Sequence, residues 1–138
     1  MDSESKNAVA RRLFYGIAGS YERPAQALSL FQYRRWHRAL VSRLRLGPDS
    51  SVLDVCTGTG LVAMEIGLSS GCRVVGVDLS QAMLEEAVHN VQSTTLGARI
   101  ELVAGRAEGL PFAGDSFDAV VFTFLLRYVE EPQVTLRE

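Results

Sequence analysis

The chain has 138 residues, 47% of them hydrophobic and 22% charged, and its formal net charge at pH 7 is -2. These values are typical of one folded domain and exclude a disordered or low-complexity segment. The weakly negative charge argues against a generally basic protein that binds nucleic acid. Two cysteines without paired spacing indicate neither a disulfide framework nor a zinc site, so we expect a reducing, cytoplasmic setting. We expect neither a secretory signal nor a membrane span.

The N-terminal part of the chain is basic and is predicted to be helical. Residues 1–45 carry nine Lys or Arg against three acidic residues, whereas 46–138 carry five against thirteen. Helices are predicted over 5–22 and 25–45, on either side of Pro24, and together form an N-terminal helical cap over residues 1–45. The apolar stripe of the second helix is predicted to contain Leu28, Phe31, Trp36, Leu40, Val41 and Leu44.

The arginine-rich stretch "YRRWHRALVSRLR" has two possible roles. It is either a solvated helix face or a partner surface, because an aromatic residue among arginines also suits anionic lipid or nucleic acid. Of the possible partners, we predict a membrane surface that the protein contacts peripherally. His37 in this stretch is predicted to be a surface residue rather than a base.

Strands and helices alternate through residues 46–138. Strands are predicted over 51–56, 72–80, 98–105 and 116–126, and helices over 61–70 and 80–94, with Ser80 as the N-cap of the second helix. Alternation with nearly continuous apolar strands predicts an α/β fold, a doubly wound parallel sheet covered by helices on both faces.

The segment "LDVCTGTGLVA", residues 53–63, reads as a strand, a glycine-rich turn and a helix. Gly58 and Gly60 allow the backbone to approach a ligand, and the helix N-terminus favours an anionic group. Asp78 ends the next strand, where a carboxylate can accept hydrogen bonds from both hydroxyls of a ribose. The pattern indicates a nucleotide or nucleoside ligand. The alternative is a tight turn that serves packing, with Asp78 as a helix-capping acid.

Two ligand chemistries fit this turn. "GTGLVA" matches the dinucleotide pattern G-x-G-x-x-A, which would indicate an NAD-dependent oxidoreductase. Asp54 stands just before the turn, where it would repel a pyrophosphate but suit an ammonium group. S-adenosylmethionine (SAM) has an ammonium group, a carboxylate for the backbone N–H groups and a ribose for Asp78. The charges therefore match SAM better.

Several motifs together resemble a known family. "VLDVCTGTG", "VVGVDLSQAML", "GRAEGLPFAGDSFDAVVF" and "FLLRYV" resemble, in order and spacing, the motifs of class I SAM-dependent methyltransferases. "FYGIAGSYE", "LFQYRRWHRALV" and "FTFLLRYVEEP" are similar to the ubiquinone and menaquinone biosynthesis C-methyltransferases. The resemblance runs from about residue 11 to the last residue and implies a Rossmann-like, SAM-binding domain over 46–138.

The resemblance also implies a set of cofactor-binding residues. It places Gly58, Thr59 and Gly60 at the methionine part of SAM, Asp78 at the ribose, and Leu79 and Met83 near the adenine. The full predicted set is Asp54, Thr57, Gly58, Thr59, Gly60, Asp78, Leu79, Met83, Arg106, Ala107 and Thr123.

Two positions depart from the family pattern. Cys56 replaces the first glycine of the usual motif, a change that a small residue can tolerate. Arg106 stands where the family usually has Asp or Asn at the adenine amino group, and a guanidinium has only donors. The adenine contact and the affinity for the cofactor are therefore expected to be weakened.

The implied reaction is C-methylation of a quinone precursor or a related small aromatic. A ring carbon must be held in line with the methyl group, and the developing oxyanion must be stabilised. Arg127 is the candidate for that stabilisation, unless it only pairs with Glu130 or Glu131. Tyr21 is the candidate for a lid over the site, unless it only packs.

The family fold has seven strands, whereas only four are recognised here, with an implied order of 3-2-1-4. The last predicted strand then has one unpaired apolar edge, which is a pairing hazard. The expectation is a truncated or naturally shortened methyltransferase that forms a homodimer. A noncatalytic cofactor-binding or assembly module is the alternative from another class.

Overall fold

The computed structural model describes residues 32–123, 125, 129 and 131–138. The helix predicted over 5–22 and the candidates Tyr21 and Arg127 lie outside these residues.

The core of the structure is one parallel sheet of four strands, β1 (Ser51–Val55), β2 (Arg73–Asp78), β3 (Ile100–Ala104) and β4 (Ala119–Phe122). Their order is β3-β2-β1-β4, which confirms the predicted order and the doubly wound α/β fold. The order reverses at β1, because the chain first runs outward to β3 and then returns to the other side of β1. In such a sheet, ligands bind beyond the carboxyl ends of the strands at this reversal.

The strands are shorter than predicted, β4 most of all, because its predicted first residues, 116–118, are irregular and follow a turn at 114–115. Asp115 has a φ of 57° there. The backbone N–H of Asp118 donates to the Ser51 carbonyl, and its Oδ2 accepts from the Ser51 N–H at 2.8 Å. Asp118 thus joins the start of β4 to the start of β1, and four residues remain for the strand.

Four helices are described, α1 (Gln32–Ser42), α2 (Leu61–Ser70), α3 (Gln81–Gln92) and α4 (Pro132–Thr135). The prediction for α3 is confirmed, since the Oγ of Ser80 accepts from the Met83 N–H and caps the helix. The first of these helices ends at Ser42 rather than at 45. The N–H groups of Arg43 and Leu44 turn back to carbonyls three residues earlier, which tightens and closes the last turn.

Of the predicted apolar stripe, Leu40, Val41 and Leu44 pack in or against the core, whereas Trp36 does not. Leu28 and Phe31 lie outside the described residues. Trp36 is 61% exposed, whereas His37 is 7% exposed and burial lowers its pKa. The predictions of a buried Trp36 and a surface His37 were therefore wrong. His37, Val41 and Leu44 follow the i, i+4, i+7 spacing of one helix face, and Val41 and Leu44 pack in the core.

The two faces of the sheet are covered differently in the described part of the chain. Val52 and Val74 pack against α1, α2 and α3 on the first face. Leu53, Val55 and Val77 on the second face pack against the segment 105–118 and residues after β4. An edge-to-face pair of Phe112 and Phe117 lies in this second layer, with ring centroids 5.2 Å apart. Among the described residues, α1, α2 and α3 thus cover the first face, whereas an irregular segment that joins β3 to β4 covers much of the second.

Candidate functional site

A sharp turn, residues 56–60, joins β1 to α2 at the carboxyl end of the sheet. Cys56, Gly58 and Gly60 have left-handed φ values of 60°, 58° and 83°. The N–H of Thr57 donates to the Val77 carbonyl at 3.0 Å, and the N–H of Gly60 donates to the Thr57 carbonyl at 3.0 Å. The turn is therefore held against β2, and its backbone folds back sharply between residues 57 and 60. Such a sharp change of direction requires residues with left-handed φ values.

The two glycines of the turn serve different purposes. A Cβ on Gly60 would lie 3.3 Å from the Cβ of Ala87, so Gly60 allows α2 to approach α3 closely. A Cβ on Gly58 would meet nothing within 4 Å, so the Gly58 backbone faces open space. Gly58 is consequently the point at which a ligand can reach the main chain.

The carboxylate of Asp78 ties this turn to the start of α3. Its Oδ2 accepts from the Gly58 N–H at 2.8 Å and its Oδ1 accepts from the Ser80 N–H at 2.8 Å. Burial is the main cause that raises the pKa of Asp78, and the backbone N–H groups of Ser80 and Gly58 oppose it. Each carboxylate oxygen can accept a second hydrogen bond, so the group remains able to bind a diol.

Asp54 lies beneath the turn rather than at its open side. The carboxyl is 1% exposed, and its Oδ2 accepts from the Thr57 hydroxyl at 2.7 Å. Burial raises the pKa of Asp54 to about 7, and the charge of Asp78 also raises it. The hydrogen bonds from the Thr57 hydroxyl and from the N–H of Ala63, in the first turn of α2, lower this pKa and partly offset the rise. This placement does not fit the expected direct contact with a ligand ammonium group, because Thr57 and α2 cover the carboxyl.

Cys56 occupies its left-handed position at a cost. An L-residue loses roughly 1–2 kcal/mol in this conformation relative to glycine. Burial, followed by the charges of Asp78, Asp54 and Glu108, raises the pKa of the Cys56 thiol to about 12. The thiol is therefore protonated at neutral pH and is a poor nucleophile.

A second turn, residues 106–109, follows β3 beside Asp78. The N–H of Gly105 donates to the Asp78 carbonyl at 3.0 Å, and the N–H of Gly109 donates to the Arg106 carbonyl at 3.3 Å. Ala107 is buried, while the Arg106 side chain is 47% exposed with its Nε 3.9 Å from Oε2 of Glu108. The structure thus brings the predicted residues Arg106 and Ala107 to the same sheet edge as Asp78.

Two residues at this edge were missed by the sequence reasoning. The Asn90 side chain donates to the Thr59 carbonyl at 3.0 Å and fixes the turn from α3. Glu108 has an Oε1 that is buried and has no hydrogen-bond partner. Glu108 lies inside the quoted motif "GRAEGLPF", which was the available clue, but nothing in the spacing separated it from an ordinary surface glutamate.

The remaining predicted residues are distributed around these two turns. Leu79 is half-buried beside Asp78, and Met83 is 3% exposed on α3. Thr59 is buried within the first turn, and Thr123 is half-buried just after β4, whose Phe122 pairs with Val55 of β1.

An apolar cavity of about 300 Å³ lies on the second face of the sheet, between the 105–118 segment, β4 and the last described residues. Its lining includes Val55, Leu110, Phe112, Phe117, Phe122 and Leu136.

Together, the reversed strand order, the glycine turn and Asp78 define a Rossmann-like domain with a nucleoside-type site. The sequence model of the ubiE/COQ5 methyltransferase family matches residues 2–138. The chain belongs to this family.

Individual relatives extend this result. A demethylmenaquinone methyltransferase of Mycobacterium bovis BCG is 40% identical over 138 residues, all of this chain and 54% of the relative. The ubiquinone/menaquinone biosynthesis C-methyltransferase UbiE of Geotalea daltonii is 33% identical over 135 residues, 96% of this chain and 57% of the relative. The chain thus spans about half the length of these relatives.

A solved structure supports the fold. A SAM-dependent methyltransferase from Thiobacillus denitrificans, crystallised with S-adenosyl-L-homocysteine, matches with a TM-score of 0.65. The match has 22% sequence identity and covers 73% of this chain and 40% of the other.

Proposed function

We propose that this chain binds SAM and serves in the C-methylation of a quinone precursor or a related aromatic compound. The observation that carries the proposal is the Asp78 carboxylate, which is held by the Gly58 and Ser80 N–H groups beside the open backbone of Gly58. The two relatives are named for methyl transfer in menaquinone and ubiquinone biosynthesis, which supports a quinone precursor as the acceptor.

Residues of the first turn and of β2 would hold the ribose and the methionine part of SAM. In the proposed site, Asp78 accepts from the ribose hydroxyls, while the backbone of Gly58, Thr59 and Gly60 receives the methionine part. Thr57 and Asp54 act from beneath, since the Asp54 carboxyl holds the Thr57 hydroxyl.

Residues of α3, of the 106–109 turn and of β4 complete the proposed site. Leu79, Met83 and Ala107 offer apolar contacts to the adenine, and Thr123 lies at the end of β4. The Arg106 guanidinium can stack on the adenine or donate to its ring nitrogens, but it cannot accept from the amino group.

SAM, when bound, supplies an electrophilic methyl group on a sulfonium. The task of this chain's own residues is to hold the cofactor and to exclude water from it. We propose Arg127 for stabilising the oxyanion of the acceptor ring and Tyr21 as a lid residue.

Calorimetric titration with SAM, S-adenosylhomocysteine and NAD tests the cofactor. We expect SAM and S-adenosylhomocysteine to bind and NAD not to bind. Asp78→Asn should weaken both ligands by about tenfold or more, since it removes a charged acceptor, while Asp118→Asn at the opposite end of β4 should change neither. Binding of NAD alone would refute the proposal in favour of an oxidoreductase.

The second candidate is a noncatalytic module that binds the cofactor without turnover. Transfer of a labelled methyl group from SAM to a demethylated quinone separates the two functions. Binding without any transfer would support the noncatalytic module.

We also propose that the chain self-associates through β4. This strand pairs with β1 on one side and forms the edge of the described sheet. Val120 and Leu136 are 55% and 57% exposed next to the apolar cavity, so within the described residues this edge is apolar and has no further strand paired with it. Sedimentation velocity should show a dimer at micromolar concentration, and a Val120→Lys variant should shift it to monomer. A wild-type monomer would refute this proposal.

The outer face of α1 supports a proposal of peripheral membrane contact in the cytoplasm. Arg34, Arg35 and Trp36 are all exposed there. No helix among the described residues is long and apolar enough to cross a membrane. Co-sedimentation with vesicles should increase with the content of anionic lipid and decrease when both arginines are replaced by Gln. Binding that does not depend on anionic lipid would contradict this contact.

A further inference from the structure

The proposal concerns Gly76, a buried glycine of β2 that the predicted set of cofactor-binding residues does not include. Gly76 pairs with Asp54 of β1 across the sheet. A Cβ on Gly76 would lie 2.8 Å from Oγ1 and 3.0 Å from Cβ of Thr57, so the Thr57 side chain would have to move. A glycine inside a strand often marks the close approach of another group. At Gly76 this group is the Thr57 side chain, with one methyl group of Leu102 also 3.0 Å away.

Each polar group of Thr57 is hydrogen-bonded within the protein. Its N–H donates to the Val77 carbonyl and its carbonyl accepts from the Gly60 N–H, both at 3.0 Å. Its hydroxyl donates to Oδ2 of Asp54 at 2.7 Å, and both residues are buried. The hydroxyl reaches Asp54 through space that a side chain on Gly76 would partly occupy. The absence of a side chain at Gly76 is therefore a condition for the bond between Thr57 and Asp54.

The position of Thr57 determines the direction of the next peptide group, which is the one at the open side of the turn. The Gly58 N–H follows Thr57 directly and donates to Oδ2 of Asp78 at 2.8 Å. A shift of Thr57 would therefore move both the open backbone of Gly58 and its contact with the Asp78 carboxylate. Binding groups must be held within about 0.5 Å of their productive positions to keep their effect. Displacement of Thr57 should consequently weaken a ligand that uses Gly58 and Asp78.

We propose that Gly76 is a positioning residue for SAM, because it leaves room for the Thr57 hydroxyl to reach Asp54 and so fixes the turn that holds the cofactor. This inference rests on the proposed function, since it assumes that SAM binds at Gly58 and Asp78. Gly76 touches no ligand itself and acts through Thr57. Its role differs from that of a glycine that only serves packing, because the neighbour that it admits is a polar side chain bonded to a buried carboxyl.

Calorimetric titration of the full chain with SAM and S-adenosylhomocysteine tests the effect on binding. Gly76→Ala and Thr57→Val should each weaken both ligands about fivefold to tenfold, because each removes the bond to Asp54. Thr57→Ser keeps the hydroxyl and should weaken them less than about twofold. The double variant should bind no more than about twofold more weakly than the weaker single variant, since both changes act on one hydrogen bond. Val74→Ala, which removes buried apolar atoms from the same strand, is the matched control; it should lower stability but change neither affinity.

Carbon-13 NMR of the carboxyl groups follows the same hydrogen bond without any ligand, with Asp54→Asn identifying the Asp54 signal. Burial raises the pKa of Asp54 to about 7, and the hydrogen bond from the Thr57 hydroxyl lowers it. Gly76→Ala and Thr57→Val should therefore each raise this pKa above about 7. Thr57→Ser and Val74→Ala should leave it unchanged. A loss of stability alone would not produce this pattern.

Several outcomes would overturn the proposal. Wild-type affinities in Gly76→Ala, or effects of Gly76→Ala and Thr57→Val that add in full, would show that Gly76 does not act through Thr57. If Gly76→Ala does not fold, the further change Thr57→Gly removes the crowded atoms and should restore the fold but not the affinity. An unrestored fold, or a restored wild-type affinity, would count against the proposal. A wild-type chain that binds neither ligand refutes the cofactor site itself, whereas the NMR titration still tests the link from Gly76 to Asp54.

Discussion

The buried carboxyl of Asp54 should make the stability of the fold depend on pH in a way that one substitution removes. Its pKa rises from 3.8 to about 7 on folding, mainly because the group is buried. The folded state therefore binds the proton more tightly than the unfolded state. The contribution of the protonated Asp54 carboxyl to the free energy of unfolding is fully present below pH 3.8 and is lost as the pH rises through about 7.

The size of the effect follows from the shift. One pKa unit corresponds to about 1.4 kcal/mol, so ionisation of Asp54 lowers the free energy of unfolding by about 2 to 3 kcal/mol between pH 5 and pH 8. Asp54→Asn removes this ionisation, and the Thr57 hydroxyl can still bond to the amide. As the pH rises from 5 to 8, Asp54→Asn should therefore gain about 2 to 3 kcal/mol in free energy of unfolding relative to the wild type.

Urea unfolding at four pH values from 5 to 8 measures this difference. Asp118→Asn is the control, since Asp118 is exposed and its pKa is lowered, so it is ionised in both states over this range. A difference between Asp54→Asn and wild type that stays constant to within about 0.5 kcal/mol would refute the reasoning. A variant that becomes relatively less stable towards pH 8 would show that the fold needs the Asp54 anion beneath α2.

Three further predictions concern the turn and Asp78. Gly60→Ala should lower the free energy of unfolding by about 1 to 3 kcal/mol, because it combines a left-handed φ with a crowded Cβ. Gly58→Ala should cost only the left-handed conformation and should mainly weaken the affinity for SAM. Urea unfolding and calorimetric titration of both variants check this contrast, and equal effects of the two substitutions would contradict it. Asp78→Asn should also cost about 1 to 3 kcal/mol of stability without ligand, because its amide cannot accept from both the Gly58 and Ser80 N–H groups; a melting temperature equal to that of wild type would disagree. The Cys56 thiol should resist alkylation by iodoacetamide at pH 8 in the folded chain and react after denaturation, so fast stoichiometric labelling of native protein would be evidence against its raised pKa.

Much of the fold was predictable because its determinants are local. The period of apolar residues located the four strands and α3, and Ser80 was recognised as an N-cap from its type and position. The glycine turn and Asp78 were recognised because their spacing follows from the strand, turn and helix geometry. The errors in α1 arose where two neighbouring residues, Trp36 and His37, fit different helix faces, and the choice between them depended on how α1 packs against α2.

By itself, the sequence determined the class of fold, the order of its elements and the family, since periodicity and motif spacing are properties of the chain. Only the tertiary structure decided what each polar group at the site faces. Asp54 and Asp78 both lie in the same kind of strand in the sequence. In the structure, Asp54 is buried beneath Thr57, whereas Asp78 accepts hydrogen bonds from the Gly58 and Ser80 N–H groups at the carboxyl end of the sheet. Burial and hydrogen-bond partners depend on residues far apart in the chain, and these set the pKa and the role of a carboxyl group.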